Sequence, residues 1–332
     1  MYATPPTPGN NTGGSSPPPD VPKRRGPWGR VLSVVLAVGA LVLVGWAARK
    51  VDWPAVLEAV SAYGPALLLM AVGIAAVSHF FYSLYDRMGV AWTGHHLPAR
   101  RVMQVSFASY VFNLNLGTLV GAMASRFRMY SRLGLDTETI VRVVSLSLVT
   151  NWLGYALLGG SVFALGVIQL PDGWAIGTAA LRVVGVALWA VVAIYLLLCG
   201  LSTRRSFQVR DRVIWLPTWR TACLQLVLSC GHWLTIAGVL YVLLQRQVSY
   251  PEVLGVFMIA SIAGALAHIP AGLGVLEGVF LALLAPPLAQ HTVIAAVLVF
   301  RAVYYLLPLL AAVPIYLLSE ARTPRAAATS AG

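Results

Sequence analysis

Residues 267–285, AHIPAGLGVLEGVFLALLA, form an apolar segment that is interrupted by one proline, three glycines and one glutamate. This pattern does not predict one continuous helix, because proline lacks a backbone donor and glycine favours turns. In hydrocarbon every backbone N–H and C=O group must be satisfied internally. Such a break is therefore tolerated only where protein or a water-filled cavity surrounds it. The segment predicts a broken membrane helix and marks a candidate site.

The composition of the whole chain is that of an integral membrane protein. Of the 332 residues, 58% are hydrophobic and 10% are charged, whereas soluble domains contain about 45–50% apolar and about 25% charged residues. The formal net charge is +12, but the Lys and Arg residues lie in short clusters between apolar runs. This arrangement is typical of basic loops that face the cytoplasm, and we expect no nucleic-acid partner.

The two ends of the chain predict tails. Residues 1–28 are rich in Pro, Gly, Ser and Asn, a composition that predicts a disordered cytoplasmic tail, and residues 321–332 are assigned to a second tail. The apolar run 31–48 is long for the apolar part of a secretory signal peptide, so we interpret it as the first membrane span. The three cysteines match no metal or redox spacing, and no cofactor or metal ion is expected.

Eight apolar segments follow along the chain. Six predict full spans, at approximately 31–48, 65–85, 139–168, 174–200, 221–244 and 292–318. The other two, 102–125 and 252–285, contain polar residues, glycine or proline within apolar sequence. We interpret both as broken helices.

The distribution of basic residues favours two re-entrant hairpins. If 102–125 crossed the membrane completely, the arginines at 126–132 and after residue 200 would face outside, against the positive-inside rule. If both broken stretches enter and leave on the same side, every basic cluster of three or more residues faces the cytoplasm. The arms of the second stretch are also long enough to cross a thin or tilted region, and that alternative stays open.

The hairpin arrangement gives an inverted repeat. Residues 29–170 form one membrane half, and residues 171–320 repeat its order in the opposite orientation. We therefore predict an all-α polytopic membrane protein with about six full spans and two re-entrant broken-helix hairpins, and with both termini in the cytoplasm. Many secondary transporters are built in this way, with substrate held near the midplane by discontinuous helices.

Several sequence stretches also carry a family resemblance. They are KVDW (50–53), RFRMYSRLG (126–134), NWLGY (151–155), QLPDGW (169–174), SIAG-x3-HIPAGLGVLE (261–277) and FRAVYYLLPLL (300–310). The chain resembles the bacterial YbhN-like inner-membrane family, which is related to the flippase-like transmembrane region of lysylphosphatidylglycerol synthases. The resemblance covers about residues 30–318.

The resemblance implies a function in handling membrane lipids or lipid-linked intermediates in the bacterial inner membrane. No segment is large enough for an aminoacyl-transfer domain, so the lysyl-lipid synthesis activity is not implied. The sequence also lacks a metalloprotease motif, a P-loop and paired intramembrane carboxylates. We therefore do not expect an enzyme.

The first hairpin supplies candidate groups for an anionic lipid headgroup. Arg126 and Arg128 follow it on the predicted cytoplasmic side, and Tyr130 shares a helix face with Arg126. Guanidinium groups bind phosphate bidentately and stay charged in apolar surroundings. The alternative is that these arginines only anchor the helix at the membrane interface.

The second hairpin predicts an ion pair. Arg301 lies about nine residues, or roughly 14 Å, into the last span, where a lone charge costs at least about 2.5–3.5 kcal/mol. Glu277 is the only carboxylate within the second break and is the expected partner. The pair either pins the hairpin to the span or lines a cavity and exchanges with a headgroup or a proton.

Further polar residues complete the predicted cavity. They are Asn113, Asn115, Asn151, His268, Pro270, Gly272 and Gly274. Each has a structural alternative, since asparagines cap broken helices and bond between spans, and a histidine is often a satisfied core residue. Three functions remain: a lipid translocator, a membrane partner of a lipid-synthesising enzyme, and a proton-coupled transporter of a small solute. We favour the first, with membrane lipids, mainly anionic, as partners.

Overall fold

The computed structural model describes residues 53–117, 122–168, 170, 177–203, 206–209, 212–267, 272–285 and 288–321. The helices in chain order are α1 (Trp53–Ser61), α2 (Pro65–Trp92), α3 (Ala99–Leu116), α4 (Ser125–Arg132), α5 (Thr137–Ala164), α6 (Thr178–Leu201), α7 (Trp219–Leu243), α8 (Tyr250–Ala267), α9 (Val275–Leu284), α10 (Gln290–Arg301) and α11 (Leu307–Ala321). A π-helical turn, Ala302–Leu306, joins α10 to α11. The predicted tail 1–28, the predicted first span 31–48 and residues 322–332 of the second tail lie outside the described residues.

Six helices of the described chain are long and apolar enough to cross a membrane. They are α2, α5, α6, α7, α8 and the continuous unit of α10 and α11. Five of these coincide with predicted spans. The sixth, α8, is the first arm of the second broken stretch, and its 18 residues extend about 27 Å. A full crossing by α8 therefore remains compatible with its length, and the inverted repeat of re-entrant hairpins remains a prediction.

Both stretches predicted to be broken are indeed interrupted. In the first, α3 ends before Gly117, which has φ +81°, and α4 begins at Ser125. In the second, α8 ends at Ala267 and α9 begins after Gly274, which has φ +80°. Glycine adopts these positive φ values without the steric penalty of a side chain. The glycines are thus the residues that permit each helix to stop and restart.

Two helix boundaries are explained by local chemistry. Helix α5 begins after Asp136, whose carboxylate accepts hydrogen bonds from the backbone N–H groups of Glu138 and Thr139. Hydrogen bonds from Thr139, followed by those from other backbone groups, hold the pKa of Asp136 below its usual value. Helix α2 starts with Pro65 in its first turn and continues to Trp92. The sequence prediction ended this span at residue 85, seven residues too early, because it took Asp86 for part of a solvated loop.

The core is formed where α2 and α5 pack against α7. Small residues allow this close approach, as is common between membrane helices. A Cβ atom added at Gly154 of α5 would lie 2.7 Å from the backbone carbon of Ser229 of α7. A Cβ atom at Gly231 of α7 would meet the ring of Phe81 of α2 at 2.8 Å. Glycine at these two positions therefore sets the distance between helices.

One short element departs from the all-α prediction. Strands β1 (Ser206–Val209) and β2 (Arg212–Trp215) form an antiparallel ribbon between α6 and α7, with Phe207 opposite Ile214. The sequence prediction treated this region only as a basic loop. Its alternating β-branched and aromatic residues favour strands, but each strand has only four residues, which is too short for a clear periodic signal.

Candidate functional site

The predicted ion pair of the second broken stretch is present. Arg301 Nε lies 2.5 Å from Glu277 Oε1, and Arg301 Nη2 lies 3.0 Å from Glu277 Oε2. Nη2 also donates a hydrogen bond of 3.0 Å to the carbonyl oxygen of Gly272 in the break. Glu277 in turn accepts a hydrogen bond from the backbone N–H of Gly274 at 2.9 Å. The carboxylate thus caps α9 and pairs with the last span at the same time.

The π-helical turn connects this ion pair to the first broken stretch. The guanidinium of Arg301 lies 5.5 Å from the ring centre of Tyr305. Asn115, near the end of α3, donates a 3.2 Å hydrogen bond to the carbonyl oxygen of Tyr305 and a 2.8 Å bond to that of Val111. π-helical turns are frequent at functional sites. We call the group of Asn115, Gly272, Glu277, Arg301 and Tyr305 the hairpin junction.

The hairpin junction lies near the middle of the last span. The span runs over 30 residues from Gln290 to Ser319, and the π-helical turn occupies its central part, from Ala302 to Leu306. The side chains of the ion pair are not fully enclosed, since Arg301 is 11% exposed and Glu277 is 22% exposed. The junction therefore combines a charged pair, a helix break and partial accessibility near the middle of this long apolar helix.

A second ion pair, which the sequence analysis did not predict, joins Arg126 of α4 to Asp86 of α2. Arg126 donates to Asp86 through Nε at 2.9 Å and through Nη2 at 3.2 Å. Asp86 also accepts hydrogen bonds from the hydroxyl of Tyr130 at 2.9 Å and from that of Ser147 at 2.6 Å. Arg126 is 4% exposed and Asp86 is fully buried. We call these four residues the Asp86 cluster.

The Asp86 cluster changes the interpretation of two predicted site residues. Arg126 and Tyr130 were expected to reach toward a headgroup on the cytoplasmic side. Both instead point inward and hold a buried carboxylate. Arg128 lies on the exposed side of α4.

The remaining predicted residues are distributed more widely. Asn113 is partly exposed on α3. Asn151 lies where α5 meets α7, and its backbone carbonyl accepts hydrogen bonds from Trp233 at 2.9 Å and from Ser229 at 3.2 Å. His268 and Pro270 lie outside the described residues. Of the predicted set, the structure thus brings together Asn115, Gly272, Gly274, Glu277 and Arg301.

A closed ring of hydrogen bonds in the core was also not anticipated. The hydroxyl of Ser78 lies 3.0 Å from His232 Nδ1 and 2.8 Å from the hydroxyl of Tyr304. The hydroxyl of Tyr110 lies 3.2 Å from His232 Nε2 and 3.1 Å from the hydroxyl of Tyr304. One sequence signal exists, since Ser78, Tyr82 and Asp86 recur every four residues and form a polar stripe on α2. Their partners come from distant helices, which no local pattern specifies.

The described part of the chain contains no group of three or more His, Cys, Asp or Glu side chains that converge closely enough for a metal ion. The hairpin junction itself offers an ion pair with a backbone acceptor, the carbonyl oxygen of Gly272, beside it. Such a pair can exchange partners with an anionic group, because Arg binds carboxylate and phosphate with similar bidentate geometry.

Comparison with known proteins gives a family match over most of the chain. The model of the lysylphosphatidylglycerol synthase transmembrane region matches residues 30–312. The chain is 42% identical over 297 residues to the inner membrane protein YbhN of Escherichia coli (strain K12), covering 89% of this chain and 93% of that protein. It is 27% identical over 278 residues to the uncharacterized protein slr0712 of Synechocystis, covering 83% and 85%.

A more distant relative is much longer than this chain. The phosphatidylglycerol lysyltransferase of Staphylococcus haemolyticus is 24% identical over 288 residues, which are 85% of this chain but 33% of that protein. The similarity therefore covers most of this chain but only about one third of the transferase.

Proposed function

The chain belongs to the lysylphosphatidylglycerol synthase transmembrane-region family, and on this premise we propose that it binds the headgroup of a membrane lipid at the hairpin junction and moves it across the bilayer. The substrate is an anionic phospholipid or a lipid-linked intermediate. The location that fits this function is the bacterial inner membrane, with both termini in the cytoplasm.

The observation that carries the proposal is the partly exposed Glu277–Arg301 pair, which lies beside a helix break and near the middle of the last apolar helix. A charge at this depth is costly unless it has a partner, and such residues commonly mark a substrate pathway. A lipid phosphate offers Arg301 the same bidentate acceptor as Glu277 does. The headgroup would replace the carboxylate while it passes the junction, and Glu277 would reclaim Arg301 afterwards.

The lengths of the broken helices support re-entrant hairpins. Helix α4 has 8 residues and α9 has 10 residues, so they extend only about 12 and 15 Å, whereas the hydrocarbon core is about 30 Å thick. Each second arm is therefore shorter than the hydrocarbon core. Two hairpins that enter from opposite sides and end near one π-helical turn would bring their breaks to a shared mid-membrane site.

Lipid translocation in proteoliposomes tests the proposal. The purified protein is reconstituted with fluorescent phosphatidylglycerol, and the fraction of lipid in the outer leaflet is followed with and without a pH gradient. We expect translocation by the parent protein and loss of most of its rate in Glu277→Gln and in Arg301→Leu. Glu138→Gln is the matched control, because it neutralises an exposed carboxylate elsewhere.

Two results would contradict the proposal. One is the absence of translocation for several lipid classes under both conditions. The other is a normal rate in Glu277→Gln and Arg301→Leu when both are folded.

A second candidate function rests on the long relative. Because the matched region is one third of a protein named for lysyl transfer to phosphatidylglycerol, we propose as the second candidate that the chain is the membrane partner of a separate lipid-synthesising enzyme. This candidate predicts that such an enzyme co-purifies with the chain and still does so after Glu277→Gln. Loss of translocation without loss of co-purification would separate the two functions.

A further inference from the structure

A cavity of about 930 Å³ lies between α2, α3 and the last span. Three of its lining residues, Phe80, Leu307 and Leu310, are apolar and exposed on the protein surface. All three belong to helices that are long and apolar enough to cross a membrane. The cavity therefore opens sideways, toward the lipid that surrounds such helices, and we call it the lateral groove.

The lateral groove combines apolar walls with one cation. Met103 and Phe107 lie one turn apart on the face of α3 that also carries Arg100. The opposite wall, on α2, includes Val72 and Phe80. Arg100 is the charged residue among those that line the groove, and it is exposed at the start of α3. A ligand that fits this lining is apolar over most of its length and anionic at one end.

Arg100 lies close to the level at which headgroups replace hydrocarbon. Helices α2 and α3 are antiparallel neighbours, and the hydroxyl of Ser106 donates a 3.3 Å hydrogen bond to the carbonyl oxygen of Tyr82. Arg100 is therefore about level with Met88, roughly 6 Å before α2 ends at Trp92. The 28 residues of α2 extend about 42 Å, so a centred α2 exceeds the hydrocarbon core of about 30 Å by about 6 Å at each end.

The lateral groove is also long enough for an acyl chain. Val72 is the lining residue of α2 that lies furthest from Trp92. It is sixteen residues before Met88, so the groove extends roughly 24 Å from the level of Arg100. One leaflet occupies half of the hydrocarbon core, about 15 Å. A chain that enters beside Arg100 can therefore follow the groove through the whole depth of its leaflet.

We propose that the lateral groove holds one acyl chain of a phospholipid whose phosphate pairs with Arg100. The chain lies against Phe80, Met103 and Leu310, and the second chain stays in the bilayer. This inference rests on the proposed lipid function. It identifies where the lipid docks before its headgroup reaches the hairpin junction.

Charge complementarity and continuity with the hairpin junction favour this occupant. The guanidinium of Arg100 is complementary to phosphate. A phospholipid joins a phosphate to an acyl chain in one molecule, as the groove joins Arg100 to apolar walls. Val303 of the π-helical turn also lines the groove, and the same turn contains Tyr305 of the hairpin junction. The groove thus extends from an exposed arginine to the turn that carries the junction.

Photocrosslinking of the purified full-length chain tests the site. The probe is phosphatidylglycerol with a diazirine in the middle of one acyl chain, and the host is a maltoside detergent micelle, which contains no phosphate. Mass spectrometry locates the crosslinks as the mole fraction of the probe is raised. We expect crosslinks at Phe80, Met103 and Leu310 to saturate. Crosslinks at Val183 and Val186, which are exposed on α6, should rise in proportion to the probe.

Two substitutions separate the phosphate from the chain. Arg100→Gln should raise the half-saturating mole fraction at least about tenfold, because a hydrogen bond to a charged group is lost. It should not change crosslinking by a diacylglycerol that carries the same chain but no phosphate. Arg101→Gln is the matched control, since Arg101 follows directly and is not among the residues that line the groove.

A second pair of variants fills the groove. Ala76→Phe adds a bulky side chain at an exposed lining position, so it should abolish the saturable crosslinks at Met103 and Leu310. Val77→Phe adds similar bulk at the next residue, which is exposed and is not among the lining residues, and should leave these crosslinks unchanged.

Three results would overturn the proposal. The first is a linear rise at the groove walls, as on α6. The second is the absence of crosslinks there, as expected if another segment, such as the predicted span 31–48, filled the groove. The third is saturation that is unchanged in Arg100→Gln. Translocation that depends on Glu277 without saturable groove crosslinks would remove only this inference, whereas saturable crosslinks without translocation would remove only the proposed function.

Discussion

The Asp86 cluster and the hairpin junction contain the same ion pair in opposite surroundings. Asp86 is fully buried and accepts hydrogen bonds from Arg126, Tyr130 and Ser147. Glu277 is 22% exposed, accepts from Arg301 through both of its oxygens, and accepts from the backbone N–H of Gly274 at the N-terminus of α9 through Oε2. The first carboxylate is enclosed by three side chains from two other helices. The second lies beside a break in the backbone.

This difference separates two uses of a charged residue in a membrane protein. The acceptor positions of Asp86 are filled by donors of the protein itself, so Asp86 has no free position for a ligand and instead links helices. Glu277 and Arg301 are partly accessible beside a helix break, and under the proposed function they exchange partners with an anionic headgroup. The position of an arginine within an apolar segment therefore does not distinguish the two uses. The burial of the arginine and the number of its hydrogen-bond partners do.

The largest expected effect comes from leaving Asp86 without its counter-ion. Arg126→Met should lower the free energy of unfolding by about 3–5 kcal/mol, because an uncompensated buried charge remains. The double variant Asp86→Leu with Arg126→Met should regain much of this loss, since a buried ion pair is often replaceable by apolar residues. Equilibrium unfolding in mixed detergent micelles measures both values. An Arg126→Met variant as stable as the parent would refute the structural assignment of this pair.

A smaller loss is expected at the hairpin junction. Glu277→Gln should lower the free energy of unfolding by about 1.5 kcal/mol, the scale of one hydrogen bond to a charged group. Arg301 retains the carbonyl of Gly272 and the ring of Tyr305, and the amide oxygen of the new glutamine still accepts from Gly274. The same unfolding measurement applies. A loss as large as that of Arg126→Met would mean that both pairs are structural and would remove the contrast between them.

The sequence identified the ion pair of the hairpin junction because its signals are sparse and local. Glu277 is the only carboxylate in its break, and Arg301 is a lone cation in its span, so their pairing followed from the cost of isolated charges in hydrocarbon. The family was also identified from short motifs, and the comparisons confirm it. The positions of the two helix breaks were predicted from glycine, proline and polar residues within apolar sequence.

The Asp86 cluster was missed for a different reason. Asp86 and Arg126 are forty residues apart and belong to helices whose packing no local pattern specifies. The sequence analysis also placed Asp86 beyond the end of its span, because two consecutive charged residues, Asp86 and Arg87, usually end an apolar segment. Helix α2 continues through them because Asp86 is neutralised in the fold. The ring around His232 was missed in the same way, as it joins four side chains from separate helices.

The exposed pair of Glu138 and Arg142 extends the comparison to the protein surface, and the smallest effect is expected there. The two residues have the i, i+4 spacing at which oppositely charged side chains meet on a helix, and they form an ion pair with the Arg142 side chain 31% exposed and the Glu138 side chain 72% exposed. Glu138→Gln should change the free energy of unfolding by no more than about 0.5 kcal/mol, because Glu138 is largely solvated and salt screens its attraction to Arg142. The effect should fall further in 1 M salt, whereas that of Arg126→Met should persist. If the effects of the three variants did not follow the order of burial, exposure would not be what distinguishes a structural pair from an exchangeable one.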